Sequence, residues 1–207
     1  MSGQQAGQPQ PASHARRDRV IAILLAVVCI VVTGIAVELS DTLGDLKARR
    51  TVRVGESASL NGGTVTVTKV EAGTELSDGG TYEEKIIKTP GMFLAITISY
   101  RVPGEEATVG GLGGLALEAS GLTYKPFGNS ILKVRAGYEG TGTLLYQVDP
   151  KQLDDAVLTL DHDEMFYVTP QQVRVDLGID DSNAAQWYRS AKGRVLRPDD
   201  QSERPIR

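Results

Sequence analysis

Asp161-His162-Asp163-Glu164 sets the one histidine outside the N-terminal tail among three carboxylates. Carboxylate oxygens this close together suit Ca²⁺, and with the imidazole of His162 they suit a transition metal. A calcium loop, however, spreads its ligands over about a dozen residues around a glycine at its tightest turn, and no glycine falls in this run. As a general base, His162 needs a nucleophile within reach, and the sequence names none. The run is read as an exposed acidic turn between Leu160 and Phe166. No catalytic, cofactor-binding or metal-ligating residue is assigned to it. An exported hydrolase or metal-binding protein is the alternative that would use it.

Gly111-Leu112-Gly113-Gly114-Leu115-Ala116 matches the dinucleotide fingerprint G-x-G-x-x-A by letter. That motif works only where a strand feeds the turn and a helix follows, so that the pyrophosphate meets a helix N-terminus. Leu115 to Gly121 reads instead as a short strand closing on a turn. No cofactor is expected, and the glycines are assigned to a bulge or a wide loop. Trp187-Tyr188 beside Arg189, Lys192 and Arg194 has the composition of a membrane-interface or partner contact. The plainer reading, adopted here, makes Trp187 the lid of a core. Gly73 to Pro90 is the most loop-like insertion, with Ile86 and Ile87 able to add a strand. Long loops on rigid scaffolds often carry recognition, so a protein or small ligand is expected to meet the chain at its loops, here first.

Where such a surface lies depends on Val20 to Val37, eighteen residues without a charge. As a helix they span about 27 Å, close to the hydrocarbon thickness of a bilayer. A cleaved signal peptide would have a shorter apolar stretch, and lipidation at Cys29 lacks the small residue expected before it. A retained transmembrane helix fits best. Arg16, Arg17 and Arg19 abut its N-terminal end, whereas Glu38, Asp41 and Asp45 open the other flank. This places the N-terminus inside and the following domain outside the cytoplasm, at the cell membrane. Met1 to Arg19 (1–19) reads as a disordered cytoplasmic tail. Leu39, Leu43 and Leu46 give 38–50 the spacing of a helical stalk.

The remaining residues bound a single domain. Cys29, inside the apolar run, is the one cysteine, so no disulfide braces the domain, and packing and strand pairing must hold it. From Thr51 to Asp181 there are 10 Lys+Arg against 19 Asp+Glu, a net of −9; from Ser182 to Arg207 the counts are 6 and 3, a net of +3. An acidic body disfavours nucleic acid as a partner, and the basic tail (182–207) is read as solvated rather than bound to the body.

From Thr51 the apolar period is two, broken by Gly, Asp and Pro. Thr64 to Val70 is rich in β-branched residues. Leu94, Ile96, Ile98, Tyr100 and Val102 share one face. Leu144, Tyr146 and Val148 repeat the pattern, as do Ala156, Leu158 and Leu160, and then Val173, Val175 and Leu177. Seven to nine short strands over 51–181 predict an all-β, antiparallel β-sandwich preceded by one transmembrane helix. Ser182 or Asn183 is expected to cap a short helix through Tyr188, stopped by Gly193. The residues beyond it read as frayed.

Four segments together resemble a bacterial family of unassigned function, the immunoprotective-extracellular, immunoglobulin-like sandwich. They are Val54-Gly55-Glu56 to Val70, Gly91 to Ile98 (GMFLAITI), Leu115 to Pro126 (LALEASGLTYKP) and Gly137 to Leu160. The resemblance covers about 51–180 and rests on the order and spacing of loose motifs. Tyr100 and Arg135-Ala136 depart from the pattern and are read as turn substitutions. The resemblance implies an immunoglobulin-like sandwich on a secreted or anchored protein and brings no catalytic residues. The function expected is a non-enzymatic binding or accessory module of a cell-envelope complex.

Overall fold

The computed structural model describes residues 28, 29, 32, 48–60, 62–79, 84–104, 109–127, 132–162 and 171–206. The chain divides into two units, Met1–Leu46 and Lys47–Arg207. In the first, Val28, Cys29 and Val32 are helical and exposed. No helix among the described residues is long and apolar enough to cross a membrane. The rest of Val20–Val37 lies outside the described residues, as do Leu39, Leu43 and Leu46 of the expected stalk.

The second unit is a β-sandwich, with twelve strands among the described residues. They are β1 (Ala48–Arg53), β2 (Ser57–Leu60), β3 (Gly63–Ser77), β4 (Ile86–Val102), β5 (Val109–Ala119), β6 (Leu122–Tyr124), β7 (Leu132–Arg135), β8 (Tyr138–Val148), β9 (Val157–His162), β10 (Gln171–Asp176), β11 (Val195–Leu196) and β12 (Ser202–Pro205). One α-helix, α1 (Ala184–Ala191), and a 3-10 turn at Pro150–Gln152 join them among the described residues. Sheet I runs β1-β10-β9-β5-β6, with β7 also on β5; sheet II runs β11-β3-β4-β8-β12, with β2 also on β3. The β1–β10 and β11–β3 pairs are parallel, and all the others are antiparallel.

Alternation drives the assembly. Leu94, Ile96, Ile98 and Tyr100 from β4, with Leu144, Tyr146 and Val148 from β8, face Leu117, Leu158, Leu160, Val173 and Val175 of sheet I in one core. Side chains at every second position share a face, so an apolar set at that spacing can be buried only against a second sheet. Two irregularities shift the phase. β5 carries an extra residue between Leu112 and Gly114, so Leu112 and Leu115, three apart, are both buried in the core. The β3–β4 ladder slips between Val67 and Lys69, which lets Val67 and Ala72 both face inward.

A second, smaller core lies on the outer face of sheet II. Phe93 and Ala95 of β4 meet Leu76, Leu196, Ile87 and Leu145 there. Past the irregularity between Gly73 and Glu75, the hairpin arm turns Leu76 and Ile87 onto this face. A Cβ on Gly73 would sit 2.6 Å from the Arg194 carbonyl, so the close passage of the C-terminal segment requires glycine. Gly73–Ser77 and Ile86–Pro90 are therefore strand, not loop, which corrects the reading of 73–90 as an insertion; Ile86 and Ile87 do lie in a strand.

Further expectations are corrected. The residues after Gly193 are not frayed: β11 and β12 join opposite edges of sheet II. Strands thus extend past both boundaries expected at 51 and 181, and Ala48–Arg50 of the expected stalk belong to β1. The helix itself is as expected, with Asn183 at its N-cap and its end just before Gly193, except that the Asn183 side chain makes no capping bond and Asp180 organises the approach. The Asp180 carboxylate accepts from the Ser182 and Asn183 amides at 2.9 and 3.2 Å. Tyr100 is no turn residue. It is buried within β4, and a Cβ on Gly63 would meet its ring at 2.6 Å.

Two stability measurements follow. The Tyr146 hydroxyl is buried without a hydrogen-bond partner among the described residues, and burial pushes its phenol pKa upward. Removing an unsatisfied buried hydroxyl relieves about 1 kcal/mol or more, so Tyr146→Phe is expected to raise the urea midpoint. Leu196→Ala, in the outer core, is expected to cost about 2–5 kcal/mol and to expose 195–206 to protease.

Candidate functional site

The C-terminal segment crosses sheet II and is tied down along its length. Arg194 pairs with Glu71, and the Gly193 amide donates to Thr74 Oγ1 at 2.9 Å. Arg197 Nε donates to Glu84 Oε1 at 3.0 Å, and Gln201 Nε2 donates to the Lys133 carbonyl at 2.9 Å. Arg135 pairs with Glu203 at 2.8 Å, and Arg204 with Glu139 at 3.1 Å. The basic tail thus lies against its own acidic body, correcting the solvated reading.

Between the Arg197 and Gln201 ties, the strap Arg197–Gln201 borders a cleft of about 710 Å³. Leu112 and Leu115 of β5, Leu132 of β7 and Leu144 of β8 supply apolar wall. Gly142 to Leu145 line it consecutively. Successive strand residues point to opposite faces, so four in a row mean that the cleft abuts the edge of β8, not one face. The rim is acidic: Asp78, Glu84, Asp199 and Asp200, with Arg197 the one cation lining it among the described residues. Asp199 and Asp200 are exposed. Pro198 fixes one backbone angle of the strap.

The residues singled out in sequence do not converge. Asp161 and His162 end β9, with His162 opposite Leu112, so the strand extends two residues into the expected turn. Asp161 Oδ1 accepts from Gln172 Nε2 at 3.0 Å. Asp163 and Glu164 lie outside the described residues. Among the described residues no cluster of three His, Cys, Asp or Glu side chains could hold a metal.

Gly111–Ala116 lies within β5, paired with β7 and β9. The strand-turn-helix that a dinucleotide needs is therefore absent from that segment, and the bulge assigned to its glycines is present. A Cβ on Gly114 would meet the Asp161 Cβ at 2.5 Å. Trp187, half-buried on α1 with Ala184 and Tyr188, packs against the main core, as the lid reading requires. Of 73–90, Ser77, Asp78, Gly79 and Glu84 do reach the cleft rim.

Sequence reasoning missed the strap and the cleft. The signal available for the strap was the charge reversal between body and tail.

Three carboxylates that hold the C-terminal segment titrate below the usual glutamate range. Glu84 is lowered by the Ser77 hydroxyl and then Arg197, Glu139 by the Ser99 hydroxyl and then Arg204, and Glu203 by Arg135. A carboxyl whose folded value is depressed contributes stability above its unfolded value, about 4.3, and loses it as pH falls through the folded value. Hydrogen exchange at 195–206 is therefore expected to be slow from pH 5 to 7 and to accelerate below about pH 4 relative to the β4–β8 ladder. An unchanged ratio would mean that these pairs do not hold the segment.

No family model matches the chain, and no curated protein does. Among solved structures, the chain is similar to the yjhA protein from Bacillus subtilis, with a TM-score of 0.43 and 17% sequence identity, over 60% of this chain and 99% of that one. It is also similar to an uncharacterized beta-sandwich protein from Clostridium difficile 630, with a TM-score of 0.40 and 8% identity, over 62% of this chain and 94% of that one.

Proposed function

We propose that this protein is a membrane-anchored, extracytoplasmic β-sandwich that acts without catalysis as a binding or accessory module of a cell-envelope complex. The observation that carries the binding role is the cleft under Arg197–Gln201. Its acidic rim, where Asp199 and Asp200 are exposed, offers charge and orientation to a ligand. Location rests on the sequence: the charge-free run Val20–Val37 follows Arg16, Arg17 and Arg19, and the basic flank stays in the cytoplasm. The four segments resembling immunoprotective-extracellular, immunoglobulin-like domains favour the same side of the membrane.

Two measurements test the reading. Protease added to intact cells is expected to degrade the sandwich, and protection of everything after Arg50 would place the domain inside. A photo-crosslinking residue at Asp200 in the cleft rim is expected to trap a discrete adduct in living cells, whereas one at the exposed Lys151 is not. The same products at both positions, or none at either, would remove the cleft as the binding surface.

A further inference from the structure

We propose that β12 is a latch that opens on its own, baring Tyr138–Thr141 of β8 as a strand edge while β11 stays docked. Three observations converge on it. The first is a contrast in burial between the two halves of the C-terminal segment. Leu196 of β11 is buried in the outer core with Phe93, Ala95 and Leu76, and the Arg194 carbonyl beside it accepts from the Glu75 amide at 3.2 Å. All four residues of β12, Ser202–Pro205, are exposed, so that strand docks with little apolar burial to hold it. Ile206, just beyond it, is half-buried, and its amide donates to the Gly137 carbonyl at 2.8 Å.

The second observation is what replaces that burial. Besides its ladder with β8, β12 is held by two ion pairs, Arg135 with Glu203 at 2.8 Å and Arg204 with Glu139 at 3.1 Å. A hollow of about 580 Å³ bordered by Arg101, Glu139, Arg204, Pro205 and Ile206 brings solvent to the second pair. Exposed pairs of this kind are weak and are screened by salt. The third is that both body partners keep other contacts when β12 leaves. Glu139 still accepts from the Ser99 hydroxyl at 2.7 Å, with Arg101 beside it. Arg135 still lies over the Tyr138 ring, 4.3 Å from its centroid. Opening therefore leaves no buried charge unpaired on these two residues, the cost that would otherwise hold the strand shut.

Two proteases read the halves separately. Proline follows Arg197 and Arg204 and blocks trypsin at both, so within 193–206 trypsin is left Arg194 and a glutamate-specific protease is left Glu203. Full-length protein in mild detergent is digested briefly at about 0.1 M and about 1 M NaCl, where the screening length falls from about 10 to about 3 Å. Each cleavage rate is divided by that of a free peptide of the same sequence. The cut after Glu203 is expected to be at least about tenfold faster than the cut after Arg194, because local opening follows the stability of each unit. High salt should speed it at least about threefold and leave the Arg194 cut within about twofold. The variant R135Q/E139Q, altered only outside the cut sequence, should reach the high-salt rate at low salt and lose the salt response. Equal rates at the two sites or a shared salt response would overturn the proposal, since the segment would then release as one piece. Indifference to salt, or to R135Q/E139Q, would overturn it too, since the ion pairs would then not be the latch.

Discussion

Closure of the edges of sheet II is the constraint on which the rest of this domain depends. Without the C-terminal segment, Glu75–Leu76 of β3 and Tyr138–Thr141 of β8 would lose their edge partners, and exposed edges are the hazard that sheet proteins must cover or blunt. One short stretch of chain serves both, through β11 on β3 and β12 on β8. β12 ends on Pro205, which has no N–H to offer a further strand. The ion pairs along the segment are exposed and individually weak. Leu196, by contrast, is 3% exposed, and burying a leucine is worth roughly 1.5–3 kcal/mol. Apolar burial therefore seats the segment, and the charges set its register.

The outer core that receives Leu196 exists because the strands are irregular. A strictly alternating β3–β4 hairpin would keep each side chain on the face its position dictates. The slip between Gly73 and Glu75 frees the distal arm to bring Leu76 and Ile87 over Phe93 and Ala95. Glycine at 73 then lets the Arg194 backbone pass close by. The same device in β5, an extra residue beside Gly114, puts Leu112 and Leu115 together at the cleft wall. Bulges thus shape both the surface that docks the strap and the wall of the cleft beside it.

These facts explain what could be read in the sequence. Leu94 to Val102 and Leu144 to Val148 were legible because a period of two is a local property of the chain. Ser120-Gly121 was legible as a turn, and its two positive φ angles, 48° and 74°, are those of a tight hairpin. The strap was not legible, because its partners are remote: Arg194 and Glu71 are 123 residues apart, and Arg197 and Glu84 are 113 apart. A strand of two residues, Val195–Leu196, carries no periodicity at all. Phe93 and Ala95 continue the β4 alternation onto the face that carries Thr97 and Ser99, and only a third layer of chain makes that face apolar. The cleft was invisible for the same reason, since its wall, edge and rim come from stretches remote in sequence. The dense cluster at Asp161–Glu164 drew notice by composition, yet the described part of it is ladder and a carboxamide contact.

The charge distribution connects the closure to the opening beside it. The body from Thr51 to Asp181 is acidic and the tail is basic. Three of the tail's arginines, Arg194, Arg197 and Arg204, are spent on body glutamates. The tail's own acids divide: Glu203 is held by Arg135, while Asp199 and Asp200 sit over the cleft with no ion pair among the described residues. Docking the strap therefore neutralises the body where β11 and β12 join sheet II and adds negative charge at the cleft rim. A segment selected only to close edges would gain nothing from two adjacent carboxylates in its central span, since they raise the negative potential of an already acidic surface.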